Sequence, residues 1–177
     1  MITVLRELGA HELEGWDAAA VDAPGGHVLQ SRAWAAHRET GGWRPRFLAA
    51  GEVRALALVR PWPLLGGGSA YLPRGPVGTG TPWSGDGSGA AVGEALAAAA
   101  RLLAADGVDV VAADPEVAAT DAGYLAALDA GGFHAIPEIQ PSRHRRSARL
   151  RVRGSRRVHG LVAPRPGRRP PRLPRGA

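Results

Sequence analysis

The chain contains neither cysteine nor lysine. The first absence excludes disulfides, thiolate metal sites and cysteine nucleophiles. The second leaves arginine as the basic side chain throughout and, with abundant Ala, Gly and Pro, points to a GC-rich coding bias rather than to a chemistry. Long apolar runs are missing too: none approaches the roughly 18–20 residues that a membrane-spanning helix needs. Residues 1–6 lack a charged leader and a continuous apolar stretch, so no signal peptide and a cytoplasmic location are expected. The six histidines (His11, His27, His37, His134, His144, His159) show no H-x-x-x-H or H-E-x-x-H spacing, and no metal site is expected. No G-x-S-x-G elbow occurs, which leaves a serine hydrolase without support.

What is present divides at about residue 141. Residues 1–140 carry nine arginines against all sixteen acids, a net −7, whereas residues 141–177 carry thirteen arginines and no acid. The overall +6 and the pI of 11.2 therefore describe the tail rather than the domain before it. With six large apolar residues among thirteen like charges, residues 142–177 bury too little to offset the entropy of ordering them, and they are expected to be disordered. Their arginines would bind phosphate backbones weakly and nonspecifically, with affinity lost as salt rises.

Within residues 1–141 the patterning predicts ten elements. Residues 1–7 alternate as a strand, and residues 11–21, with Leu13, Trp16 and Ala20 at helical spacing, read as a helix. Val28-Leu29-Gln30 leads into a second helix that Ser31 can cap and Gly41-Gly42 would stop. Residues 43–49 and 53–59 form a hairpin about Gly51-Glu52, and residues 69–72 a third strand of that group. An alanine-rich helix is predicted over residues 89–105, capped by Ser88 or Asp86. A buried parallel strand follows over 109–113, then a helix over 117–130 and a last strand over 133–139. The order β-α-α-β-β-β-α-β-α-β is an α/β mixed sheet with helices on both faces, the order of the GCN5-related (GNAT) acyltransferase fold.

Four segments in this order resemble the first domain of the Fem (FemABX) family of peptidoglycan aminoacyltransferases. Gln30-Ser31-Arg32-Ala33-Trp34 with Arg38, then Gly42-Trp43-Arg44-Pro45, looks like its QS-x-x-W-x-x-x-K … GW-x-P pattern. Tyr71-Leu72-Pro73-Arg74-Gly75-Pro76 is similar to Y-x-P-R-G-P, residues 109–115 to a strand ending in Asp-Pro, and Gly132-Phe133 to Gln140-Pro141 to GF … IQP. The resemblance implies a GNAT-like domain over residues 1–141. It also implies transfer of an amino acid from aminoacyl-tRNA to a lipid-linked or UDP-linked muropeptide precursor, without a cofactor. Family members carry a second such domain after IQP. Here Ser142-Arg143-His144-Arg145-Arg146 follows instead. A frameshift is the expected origin of the tail, and the chain is expected to be an inactive half.

Arg38 stands at the family's lysine, which the resemblance associates with the precursor's diphosphate; a guanidinium keeps the charge but replaces a point charge by a planar fork. A solvated arginine on a helix face is the other reading. Tyr71 and Arg74 are further candidate substrate contacts, and no catalytic residue is assigned. Residues 74–80 sit where acyl-CoA-using relatives carry a pyrophosphate loop. Their spacing is one residue too long, and Pro76 offers no N–H, which favours a tight strand turn. Trp16 and Trp34 fall on apolar helix faces and read as core, while Trp62 and Trp83 lie in Pro/Gly loops that can rim a cleft. Asp114 reads as a cap of the following helix rather than as a general base. Two other functions stay open: an acyl-CoA-dependent N-acyltransferase, and a non-catalytic fragment that binds RNA through its tail.

Overall fold

Two apolar runs joined at Gly51-Glu52 build the middle of the sheet, and their prolines, Pro45 and Pro61, stand near the outer ends of the ladder, where they leave its middle uninterrupted. The computed structural model describes residues 4–64, 66–78, 89–118 and 120–136, and the backbone of residues 149–150 and 158–159. The chain divides into two units, Met1–Ala135 and Ile136–Ala177.

In the first unit β1 (Arg6–Glu7), β2 (Arg44–Ala50), β3 (Val53–Pro61), β4 (Gly68–Leu72) and β5 (Val110–Ala113) lie in the order β1-β2-β3-β4-β5. The first three pairings are antiparallel, with Phe47↔Leu56 and Leu58↔Tyr71 in register, and β4 pairs parallel with β5, Tyr71↔Ala112. The result is a mixed α/β sheet of the GNAT-like kind. β3 is central, and its residues Ala55 to Leu58 are all buried, so the sheet is covered on both sides there.

One side is covered by α2 (Gly89–Ala105), whose Val92, Leu96, Ala99 and Leu103 form the apolar stripe that a 3.6-residue period predicts. These meet Leu48, Ala55, Ala57, Ala70 and Leu72. The helix α3 (Ala122–Ala130) packs on α2. The other side is covered by α1 (Arg32–Thr40), the 3₁₀ turn Val28–Gln30 and Trp16, over Phe47, Leu56 and Leu58.

Several expectations are corrected. The helix over 11–21 is instead a 3₁₀ turn at Ala10–Glu12 and a π-type turn at Ala18–Asp22. Gly15, at φ 75°, breaks the run, and Trp16 turns inward to donate from Nε1 to the Gln30 carbonyl at 2.7 Å. The third helix begins at Ala122 rather than 117, because the Asp121 carboxylate accepts from Tyr124 N–H at 2.9 Å and caps it there. β5 is less buried than expected, with Val110 50% exposed, because it is the last strand of the sheet among the described residues. Residues 133–136 of the predicted last strand are not strand. Phe133 N–H closes the end of α3 on the Leu128 carbonyl at 2.9 Å, and its ring packs against the α2-side core. The remainder of that strand, Met1 to Thr3, Trp83 and the proposed caps Asp86 and Ser88 lie outside the described residues.

In the second unit β6 (Arg149–Leu150) pairs antiparallel with β7 (Val158–His159). The rest of the predicted disordered tail lies outside the described residues.

Candidate functional site

Parallel strands leave a crevice beyond their carboxyl ends where ligands commonly bind in α/β sheets. At that end of β4 and β5, Tyr71 and Arg74 meet on one carboxylate. Tyr71 Oη donates to Asp114 Oδ1 at 2.9 Å, the Arg74 backbone N–H donates to the same oxygen at 2.8 Å, and Arg74 Nε lies 3.5 Å from Oδ2. Asp114 is thus neither the cap of the next helix nor a free base. Its Oδ1 accepts from one side chain and one backbone amide, and Asp121 takes the capping role.

Arg74 adopts φ 54°, left-handed backbone that a non-glycine residue occupies at a cost of about 1–3 kcal/mol unless its surroundings enforce it. The Asp114 contact holds it from one side. Gln30 holds the preceding residue from the other, through a short Nε2–H bond to the Pro73 carbonyl. The Gln30 Oε1 accepts from Leu56 N–H at 2.6 Å. Fully buried, Gln30 therefore ties the turn before α1, strand β3 and the end of β4 together. A Cβ at Gly75 would lie 2.6 Å from Gln30 Nε2, which explains a glycine there. Ser31 caps α1 as expected, Oγ accepting from Trp34 N–H at 3.0 Å.

Sequence reasoning gave Gln30 no role of its own. Its signal was a polar residue inside an otherwise apolar approach to a helix. Tyr124 was missed as well. Burial, and then the Asp114 charge, push its phenol up to about 12, so it faces the same carboxylate as a neutral group.

Arg38 is not part of this cluster. It lies between two indoles, its guanidinium 5.6 Å from the Trp34 ring centre and 5.2 Å from that of Trp43. Trp43 also carries Arg60, at 5.7 Å. Arg38 Nε and Trp34 Nε1 are buried donors without a hydrogen-bond partner among the described residues. Trp16 is core as expected, and Trp34 is half-buried beside that core. Trp62 is 37% exposed.

The segment after Arg74 turns back onto β3: Val77 N–H donates to the Arg54 carbonyl at 2.8 Å, and Arg54 N–H to the Val77 carbonyl at 3.0 Å. The amides of Arg74 and Val77 are already engaged and Pro76 has none, so three of the five positions 74–78 have no N–H to offer a pyrophosphate, in line with the tight-turn reading. Thr79 and Gly80 lie outside the described residues. A cavity of about 340 Å³ opens elsewhere, beside Arg6, Leu8, Glu12, Ala50 and Arg54. It contains none of the predicted contacts, and its Arg6 is engaged by Glu12 at 2.6 Å.

No protein-family model and no curated protein matches the chain. Among solved structures, the fold is similar to that of FemX, with a TM-score of 0.53 and 24% identity over 71% of this chain. The shared fold is Fem-like. The match covers 31% of the FemX chain, so the chain spans about a third of that protein's length.

Proposed function

We propose that residues 1–141 are the acceptor-binding domain of a Fem-type aminoacyltransferase of peptidoglycan bridge synthesis. In this reading they hold a muropeptide precursor, lipid-linked or UDP-linked, to which an amino acid is passed from aminoacyl-tRNA. The observation that carries the proposal is the convergence of Tyr71 and Arg74 on Asp114 at the carboxyl end of the parallel pair, within a fold shared with part of FemX. These are three of the residues that the motif resemblance singles out, and they come from segments about forty residues apart, Tyr71 Oη lying 2.9 Å from Asp114 Oδ1.

Transfer from a tRNA ester to an amine needs a neutral amine held near the carbonyl and donors for the developing oxyanion. In this reading Asp114 accepts from the Tyr71 hydroxyl and the Arg74 amide and serves to position those two residues rather than to take the proton. The described residues hold no complete set of base and oxyanion donors, so the domain supplies binding, and negligible transfer is expected from the chain alone. The tRNA side of the reaction falls to a second domain of the family. Both substrates imply action in the cytoplasm.

Calorimetric titration of the chain with UDP-linked muramoyl pentapeptide is the direct test. Saturable binding is expected, weakened about tenfold or more in Arg74→Gln, which loses a charge-assisted contact. Absence of binding by the folded protein, or stabilisation by acetyl-CoA in its place, overturns the assignment.

A further inference from the structure

We propose that the turn joining β3 to β4 is a lipid-docking tip. Trp62 and Leu64 enter the interfacial layer of an anionic phospholipid bilayer, and Arg44 and Arg60 meet its headgroups. The inference does not depend on the substrate assigned above.

The first argument is exposure. Leu64 is 95% exposed and Trp62 37%, and the prolines on either side of Trp62 are exposed as well. Single apolar residues at a surface are ordinary, but here Pro61 to Leu64 form an unbroken apolar run at the end of a hairpin.

The second argument is that the tip is preformed. Trp62 N–H donates to the Gly67 carbonyl at 3.2 Å and closes the turn just beyond the pair Pro61↔Gly68. Pro61 and Pro63 restrict their own φ, and Gly66 and Gly67, at φ 68° and 74°, take backbone that other residues resist. At the base, Asp109 Oδ2 accepts from Gly68 N–H at 2.9 Å, and a Cβ at Gly67 would collide with that carboxylate. Backbone already fixed loses little entropy on docking, so the apolar side chains it presents retain most of what burial gives them.

The third argument decides the partner. The exposed described residues of the tip, 60–64, 66 and 67, number seven. A stable protein–protein interface takes roughly 20–30 residues a side. A bilayer needs no complementary surface, and binding to it scales with the apolar area that enters. Tryptophan suits that boundary, with an apolar ring and one N–H for the wet side. Charge agrees. Arg60 is the one charged residue within 55–68, and Arg44 stands beside it across the ladder, opposite Val59. Both are exposed, and neither has a carboxylate partner among the described residues. Anionic headgroups supply one.

The test uses the full chain and vesicles of mixed phosphatidylglycerol and phosphatidylcholine. Because the chain contains no cysteine, Leu64→Cys gives a single thiol for an environment-sensitive fluorophore. Glu52→Cys, in the exposed turn at the other end of β3, is the control. On vesicles the label at 64 should brighten several-fold and shift to the blue, while the label at 52 stays unchanged. This comparison reads the tip by itself, since the arginine-rich residues after 141 can hold the chain to an anionic surface without drying position 64. At salt that screens the arginines, Trp62→Ser should weaken vesicle binding of the unlabelled chain about tenfold or more. At low salt, Arg44→Gln and Arg60→Gln should each weaken it about fivefold. A label at 64 that stays as wet as the one at 52 on vesicle-bound chain overturns the proposal, as does absence of vesicle binding. Brightening at 64 without vesicles, with a dimer seen in sedimentation, assigns the tip to a second copy of the chain and overturns it as well.

Discussion

The two sides of the sheet are built on opposite principles. On the α2 side the core is aliphatic, with Leu48, Leu72, Leu96 and Leu103 among alanines and valines. Contacts of that kind are nondirectional, so many combinations of similar volume would serve. On the α1 side the core contains Trp16, Phe47 and a fully buried Gln30, and arginines and further indoles border it. There some partners are fixed by direction, through a hydrogen bond or a ring edge, beside the aliphatic Leu56 and Leu58. Trp16 and Phe47 meet edge to face, with ring centres 4.9 Å apart, and Gln30 satisfies one donor and one acceptor on separate strand segments. One side holds the fold together, and the other sets the positions of the residues with which a ligand can interact.

A matched pair of substitutions sharpens this contrast. Gln30→Met nearly conserves volume but leaves Leu56 N–H and the Pro73 carbonyl buried without partners. At about 1–3 kcal/mol for each of the two orphaned groups, chemical denaturation should register a loss of roughly 2–6 kcal/mol. Leu103→Met, equally conservative in volume on the aliphatic side, should cost less than about 1.5 kcal/mol. Equal losses for the two variants would erase the distinction between the sides. The Gln30 variant should also loosen the Arg74 backbone, seen as faster amide exchange there.

The smallest effect at neutral pH concerns Tyr124. A phenol raised from 10.0 to about 12 keeps its proton longer in the folded state than in the unfolded one. Its stabilising contribution is therefore complete below about pH 10 and disappears as pH rises through about 12. The chain has two tyrosines, so absorbance titration of Tyr71→Phe reports Tyr124 alone. A late ionisation is expected, and Tyr124→Phe should flatten the alkaline decline in stability. An ordinary tyrosine midpoint would mean that neither burial nor the Asp114 charge acts on that ring.

Local patterning made the hairpin β2–β3, strand β4 and helix α2 legible, because each follows the period of its element and is bounded by residues that stop it. The Ser31 cap was legible for the same local reason. The helix expected over 11–21 was not, since helical spacing of Leu13, Trp16 and Ala20 carries no information about the pull of Gln30 on the Trp16 indole. Asp114 was misread because the residues that engage it, Tyr71 and Arg74, come from another strand, and a carboxylate before a proline looks locally like a cap. Arg60 gave no signal at all. Its relation to Trp43 depends on where β3 runs beside the turn that enters β2, which follows from register rather than from neighbouring residues.

By itself, the sequence determined the charge partition near residue 141, the class of fold and the segments that carry the motif resemblance, since these rest on composition and on periodicities of a few residues. The tertiary structure alone decided that Gln30 is a strut, that Asp114 aligns Tyr71 with Arg74, and that two arginines share one indole. Hydrogen bonds and ring contacts of this kind join residues tens of positions apart, and their geometry exists only once strand register has brought them together.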